Sequence, residues 1–244
     1  MNYIKSKAVN FQGEVNQIAT FLNVEKRKES YKKIEVFYAY EPLCGWCYGF
    51  SSELNKLIRR LAPVVDFKLI NGGIFAGNKS LKMESISEHI KNNMGHVTER
   101  SGIEFGEKFI NLLEDKNYRY DSKKASIAVS IIRDLFPEKT FEFAANIQKA
   151  FFYHGKDIQA DSFYVELLKP YPINLTHFLE RLNSDIEAIK IEYEFQNTER
   201  IGFKGYPATA IRVKNKTSFL NQGFTTASQL TSKIFYVVEN SVTA

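Results

Sequence analysis

The chain contains two cysteines, and they lie three residues apart in Cys44-Gly45-Trp46-Cys47. A β-branched and aromatic run over residues 34–40 predicts a buried strand before them, and residues 48–61 predict a helix after them. At such a junction, unpaired backbone N–H groups and the positive end of the helix dipole favour thiolate over thiol. A second cysteine three residues on can resolve a mixed disulfide formed by the first. The pair therefore predicts thiol–disulfide exchange.

Other uses of two cysteines fit the sequence less well. A closed zinc site needs four ligands, and the four histidines are single and widely spaced, so we expect no metal site. A structural disulfide across a four-residue loop would restrict little of the unfolded chain's entropy. Two inert thiols remain an open alternative to a redox pair.

The charge pattern and the apolar runs exclude several classes of protein. The net charge is +5, but lysines alternate with acids and form no arginine-rich face, so we expect no nucleic-acid partner. No run is long enough for a secretory signal or a membrane span, so we expect a cytoplasmic protein without a membrane partner. Structural disulfides are rare in that compartment, which favours a redox role.

Hydrophobic periodicity predicts the elements that position the cysteines. After the first strand and helix, the pattern predicts these further elements: a strand at 64–70, helices over 80–168, a helix at 176–199 with Phe178, Leu182, Ile186, Ile189 and Tyr193 on its apolar stripe, strands at 208–213 and 217–220, and a helix at 226–239. Without the helical block the order is βαβ followed by αββα. This order predicts an α/β thioredoxin-like fold.

The same pattern divides the chain into three parts. We expect an N-terminal accessory segment at 1–33, a thioredoxin-like domain at 34–79 and 170–244, and an inserted helical domain at 80–169. In the accessory segment, four residues suit one face of a short helix: Val15, Ile18, Ala19 and Leu22.

Gly205-Tyr206-Pro207 comes directly before the penultimate strand and allows two interpretations. A proline that opens a strand is structurally ordinary, because the first position need not donate to the ladder. Alternatively, a cis Tyr206–Pro207 bond would turn the Tyr206 backbone outward, where its N–H and C=O could pair with a peptide beside the sulfur.

Four stretches of the sequence resemble the DsbA-like thioredoxin-fold family, particularly its cytosolic FrnE-like branch. They are EPLCGWCY at 41–48, GGIF at 72–75, AFFYHGKDI at 150–158 and GFKGYPAT at 202–209. The resemblance implies that Cys44 is the attacking nucleophile and Cys47 the resolving thiol. It also implies that Pro207 is a cis-proline and that Tyr206 offers backbone contacts to substrate. The helical block would then be an all-α insertion of DsbA type that caps the active-site side.

Three residues depart from the family pattern or lie beside it. The dipeptide between the cysteines lacks histidine, and Trp46 would instead shape substrate contact or shield the pair. Tyr38 stands six residues before Cys44, where a buried carboxylate is common. The nearest acid is Glu41, which would either relay a proton to Cys47 or be a solvated turn residue.

The sequence thus predicts an oxidoreductase that exchanges disulfides with protein thiols or disulfides, or with the glutathione or thioredoxin system. No cofactor is expected, with glutathione as an optional co-substrate. The missing histidine and the cytosolic setting favour a reductase or isomerase over a strong oxidase. One alternative is a glutathione-dependent transferase or isomerase of the kappa or hydroxychromene-carboxylate type. Another is a non-enzymatic peptide-binding module that uses the apolar surface around Trp46, Phe75 and Tyr206.

Overall fold

The computed structural model describes residues 34–242, and the helix predicted within residues 1–33 lies outside them. The elements of the described chain are, in order, β1 (Glu35–Tyr40), α1 (Gly45–Leu61), β2 (Asp66–Asn71), a 3₁₀ turn (Gly77–Lys79), β3 (Leu81–Lys82), α2 (Met83–Ser101), α3 (Glu107–Leu112), β4 (Arg119–Tyr120), α4 (Lys123–Leu135), a 3₁₀ turn (Pro137–Lys139), α5 (Thr140–Phe152), α6 (Asp161–Leu167), α7 (Leu175–Leu182), α8 (Asp185–Ile201), β5 (Ala208–Val213), β6 (Lys216–Gln222) and α9 (Ala227–Val242).

Four strands form the main sheet, in the order β2-β1-β5-β6. β1 pairs parallel with β2, and the α1 crossover connects them. β1 also pairs antiparallel with β5, which forms the predicted hairpin with β6. The predicted thioredoxin-like plan is confirmed.

The central strand β1 joins the sheet to the helices on one of its faces. Tyr38 and Tyr40 point to the same side, because alternate residues of a strand share a face. The Tyr38 ring packs against the rings of Phe50 in α1 and Phe141 in α5, with distances of 5.7 Å and 6.5 Å between the ring centroids. The Tyr40 hydroxyl donates to the Ala144 carbonyl of α5 at 2.9 Å. The end of β1 that leads into the cysteines is therefore fixed by α1 and α5 together.

The single helix predicted at 176–199 is wrong, because the structure contains two helices, α7 and α8. Ser184 separates them and caps α8, since its side chain accepts the Glu187 N–H at 3.2 Å. The break changes the phase of the apolar stripe. Phe178 and Leu182 are buried as predicted, but three residues of the predicted stripe are exposed: Ile186, Ile189 and Tyr193.

The predicted helical block also contains a short ladder between β3 and β4. It lies between helices, and it places Tyr120 in the buried centre of the molecule, where the ring contacts Phe75 and Phe151. The rest of the described block from residue 83 to residue 167 is helices and connecting turns.

Candidate active site

Cys44 is the N-cap of α1. Its sulfur accepts the backbone N–H of Cys47 at 3.4 Å, and its own N–H donates to the Glu41 carbonyl at 3.1 Å. The thiol donates in turn to the Tyr206 carbonyl at 3.5 Å. The side chain is partly exposed. A sulfur at a helix N-terminus that receives an N–H is placed where negative charge is stabilised.

Cys47 lies one turn further along α1 and is fully buried. Burial raises the pKa of its thiol well above the ordinary value, and the neighbouring Cys44 sulfur raises it further. The Tyr38 hydroxyl acts in the opposite direction, because it donates a hydrogen bond to the Cys47 sulfur. Of the two sulfurs, Cys44 is thus the one that an external disulfide can approach.

Tyr38 lies six residues before Cys44, at the position where the resemblance leads us to expect a carboxylate. Burial raises the pKa of its hydroxyl well above the ordinary value, so the group stays protonated. A permanently protonated hydroxyl can donate to the Cys47 thiolate, but it cannot accept the proton of the Cys47 thiol. The direct contact between Tyr38 and Cys47 was not predicted. The signal for it was the apolar strand pattern, which points Tyr38 towards the helix that carries the cysteines.

The Glu41 carboxylate is fully buried, so its interpretation as a solvated turn residue is wrong. One oxygen accepts the Leu43 N–H at 3.3 Å, and the other accepts the Ile74 N–H at 2.9 Å. Burial raises the pKa of this carboxyl to about 7, against the effect of these hydrogen bonds. The side chain therefore ties the cysteine turn to the loop that follows β2.

Two buried residues of the predicted insertion hold the carbonyl groups of the same turn. Gln148 of α5 donates to the Glu41 carbonyl at 3.2 Å, and the Tyr120 hydroxyl donates to the Leu43 carbonyl. Neither residue was predicted to have a role at the site. Gln148 was detectable in principle, since it is a polar residue on an otherwise apolar helix face and is buried here. Such a group requires a hydrogen-bond partner.

Tyr206 and Pro207 face the cysteines from the start of β5, and the peptide bond between them is cis. The Tyr206 ring is buried, so this residue offers its backbone carbonyl to the site and not an apolar surface. The ring fits only because residue 72 is glycine: a Cβ at Gly72 would lie 2.2 Å from it. All six predicted site residues therefore meet at one end of the sheet: Glu41, Cys44, Trp46, Cys47, Tyr206 and Pro207.

A groove of about 190 Å³ opens beside Cys44, between the cysteine turn and α2. Trp46 lines it, together with Phe75, Ile90, Met94 and Phe105. Its polar residues besides Cys44 include His89 and Asn93, and its lining contains no lysine, arginine, aspartate or glutamate. The groove therefore suits an apolar group of a substrate attached at the sulfur.

Within residues 34–242, no three histidine, cysteine or carboxylate side chains are grouped so that they could hold a metal ion. None of the described helices has the length and apolar character that crossing a membrane requires.

Comparison with known proteins identifies relatives through the fold. No protein-family model matches the sequence, and no curated protein matches it. A candidate protein disulfide isomerase from Nitrosomonas europaea superposes with a TM-score of 0.76 and 23% identity, over 86% of this chain and 99% of that one. The cytosolic disulfide reductase DsbM from Pseudomonas aeruginosa gives a TM-score of 0.69 and 22% identity, over 86% of this chain and 100% of that one.

A 2-hydroxychromene-2-carboxylate isomerase superposes more distantly, with a TM-score of 0.57 and 13% identity, over 85% of this chain and 94% of that one. All of these identities are low, so the similarity concerns the fold. The chain therefore has the thioredoxin-type fold with a helical insertion that DsbA-like oxidoreductases share.

Proposed function

We propose that the protein is a thiol–disulfide oxidoreductase that works through Cys44 and Cys47. The observation that carries the proposal is the contrast between the two sulfurs. Cys44 caps α1 and is partly exposed, whereas Cys47 is buried directly behind it. An accessible sulfur at a helix N-terminus is suited to attack, and a hidden sulfur within reach is suited to resolve the product.

The reaction has two exchange steps. In the first, the Cys44 thiolate attacks one sulfur of a substrate disulfide; a Cys44–substrate disulfide forms, and the first substrate thiolate leaves. In the second, Cys47 attacks the Cys44 sulfur; the Cys44–Cys47 disulfide forms, and the second substrate thiol leaves with the proton that Cys47 gives up. Two electrons pass from the protein dithiol to the substrate, and the reverse sequence oxidises a substrate dithiol.

Tyr38 assists the second step in this proposal. Its hydrogen bond to the Cys47 sulfur stabilises the thiolate that must form in a buried position. Glu41 positions the turn, since its carboxylate is occupied by the N–H groups of Leu43 and Ile74. These contacts support a structural role for Glu41, which holds the cysteine turn in place, over the alternative role of a proton relay to Cys47.

Substrate binding uses two surfaces on either side of Cys44. The Tyr206 backbone would pair with a peptide, and the groove at Trp46 and Phe75 would take an apolar group. Protein disulfides fit both surfaces. The superposition with DsbM, of which a structure with GSH has been solved, supports glutathione as a co-substrate and a cytosolic setting. Both that relative and the absence of a histidine between the cysteines favour reduction as the physiological direction.

The test is reduction of a protein disulfide such as insulin, together with the equilibrium reduction potential in glutathione buffers. We expect turnover that requires Cys44, and a potential nearer to about −270 mV than to about −120 mV, the values of a reductase and of a strong oxidase. A chain without exchange activity, or one whose cellular activity survives replacement of both cysteines, would be a binding module instead.

A second candidate is a glutathione-dependent isomerase. The superposition with the chromene-carboxylate isomerase favours it, and the apolar lining of the groove beside Cys44 could take an aromatic ring. Isomerisation of a chromene carboxylate needs glutathione but no resolving thiol. Activity of this kind that survives Cys47→Ser would therefore replace the oxidoreductase proposal, and its absence would remove this candidate.

A further inference from the structure

One face of α8 carries large apolar side chains that nothing within residues 34–242 covers. Ile186 is 67% exposed, Ile189 is 64% exposed and Tyr193 is 62% exposed. Their spacing of three and then four residues places them on one stripe of the helix. Ile201 extends the stripe towards the end of α8 and is 44% exposed. Scattered apolar residues are normal on a surface, but an aligned row of this kind marks an interaction site.

The α8 stripe continues into a groove of about 620 Å³ between α8 and β2. Phe67, Ile70 and Phe141 line the groove, together with Tyr193 and Ile201 of the stripe. β2 is an edge strand of the described sheet, so the groove follows an unpaired strand edge.

Within the part of the chain that the structure describes, polar side chains close this edge at its carboxyl end. Glu194 accepts the Asn71 N–H at 2.7 Å, and Arg133 donates to the Leu69 carbonyl at 3.0 Å. Alternate residues of a strand direct their peptide groups to the same side, so Phe67 also directs its peptide groups outward. As far as residues 34–242 are concerned, the amino end of β2 is therefore the open end of the groove.

The described chain begins at that open end. The Asp66 N–H donates to the Ile34 carbonyl at 2.9 Å, so the chain before Ile34 emerges beside the first residue of β2. Thirty-three residues precede Ile34 in the sequence. The eleven residues 23–33 can span up to ~36 Å when extended, whereas six residues of strand extend ~20 Å. A segment that ends at Leu22 can therefore reach any part of the groove.

The preceding segment has an apolar stripe that matches the α8 stripe. Phe11, Val15, Ile18 and Leu22 recur at helical spacing. A helix over these twelve residues would be ~18 Å long. Residues 186–201 of α8 extend ~24 Å by the same rise per residue. Helices of ~12 residues are marginal alone in water, so such a segment needs an apolar surface to pack against.

We propose that residues 11–22 dock as an amphipathic helix on the α8 stripe and the adjoining groove of the same chain. The short tether favours this occupant over a second copy, because only residues 23–33 separate the segment from Ile34, and a short connection gives an effective concentration in the ~mM range. The proposal also accounts for Ile186, Ile189 and Tyr193, whose pattern in the sequence predicts burial. It does not depend on the chemistry of the cysteines.

Photocrosslinking of the full chain tests the proposal. Benzoylphenylalanine replaces Tyr193, and the protein is irradiated at micromolar concentration and digested with trypsin. The expected product has monomer mass and joins residue 193 to the tryptic peptide 8–26, which contains the whole N-terminal stripe. The matched control carries the same probe in place of Tyr236 of α9, which is 68% exposed, and it should give no link to that peptide.

Two substitutions within residues 11–22 sharpen the result. Ile18→Glu puts a charge on the apolar stripe and should reduce the 193 crosslink roughly tenfold or more, because the charge would have to be buried. Thr20→Glu adds the same charge on the opposite helix face and should leave the crosslink intact. A dimer-mass product would assign the surface to a second copy. That outcome, no link to peptide 8–26, or equal loss in both variants overturns the proposal.

Discussion

The two cysteines differ in exposure and in surroundings, although they are only three positions apart. Cys44 lies outside the first turn of α1, where its sulfur is partly exposed and accepts an N–H. Cys47 lies inside that turn and faces Tyr38 on the central strand, fully buried and with a raised pKa. The two positions on the helix and the packing of the sheet produce this contrast together, since the cap residue and the third residue point in different directions and only Cys47 is buried against the strands. The order of attack can thus be built into the position of each sulfur.

Exchanging each sulfur for oxygen gives the largest expected effect. Cys44→Ser should reduce disulfide turnover to the uncatalysed background, because no accessible nucleophile remains. Cys47→Ser should also lose turnover but retain the first attack, so a mixed disulfide with substrate accumulates. Mass spectrometry of the reaction with a model disulfide measures both. Equal adduct formation by the two variants would remove the distinction between the sulfurs.

Removing the charge of Glu41 tests whether its carboxylate, which ties the cysteine turn to the loop after β2, contributes to the difference between the two cysteines. The folded pKa of about 7 lies above the unfolded value of 4.5, so the unfolded state ionises first as the pH rises. The free energy of unfolding should therefore fall between these two pH values, by up to about 3 kcal/mol, and stay level above them. Glu41→Gln should lack this fall. Urea unfolding at pH 4.5, 6 and 8 measures the difference.

The other carboxyl groups are present in both the unsubstituted chain and Glu41→Gln, so their contributions to the free energy of unfolding cancel in that comparison. Glu35 and Glu53, for example, have lowered pKa values, so they act with the opposite sign and at lower pH. Glu41→Gln should keep the preference for Cys44 in alkylation. A different outcome would assign Glu41 the role of a proton relay. In that outcome, Glu41→Gln shifts the pH dependence of mixed-disulfide resolution but leaves the free energy of unfolding unchanged.

The smallest predicted effect concerns the hydroxyl of Tyr38. Tyr38→Phe removes one donor to the Cys47 sulfur and should raise the pKa of that thiol further. A single hydrogen bond contributes about 0.5–1.5 kcal/mol, so resolution of the mixed disulfide should slow by roughly two- to tenfold. Stopped-flow release of the second substrate thiol measures this rate. An unchanged rate with a normal first attack would show that Tyr38 only fills space.

The predictable part of the fold was the part that local pattern determines. The strand before the cysteines, the helix after them and the final hairpin each have the expected periodicity or turn residues. The boundary between α7 and α8 was missed, although Ser184 followed by Glu187 is a recognisable capping pattern. The apolar spacing of residues 178–193 concealed it, because a helix break changes the phase of a stripe without changing its composition.

The candidate site was predictable in its residues but not in its contacts. The Cys-x-x-Cys motif points to Cys44 and Cys47, whereas Pro207 was expected only from the resemblance to DsbA-like proteins. Partners such as Gln148 and Tyr120 come from elements far away in the sequence, and only the folded chain shows that they bind the carbonyl groups of the turn. The burial of Glu41 was hidden for the same reason, since it depends on the loop that carries Ile74.

Alkylation of the reduced, unsubstituted chain compares the accessibility of the two sulfurs in the native protein. Brief treatment with iodoacetamide at neutral pH, followed by peptide mapping, reports which sulfur reacts first. We expect a label on Cys44 alone, with Cys47 modified only after the protein is unfolded in urea. Labelling of Cys47 at a rate comparable to that of Cys44 in the folded protein would contradict it.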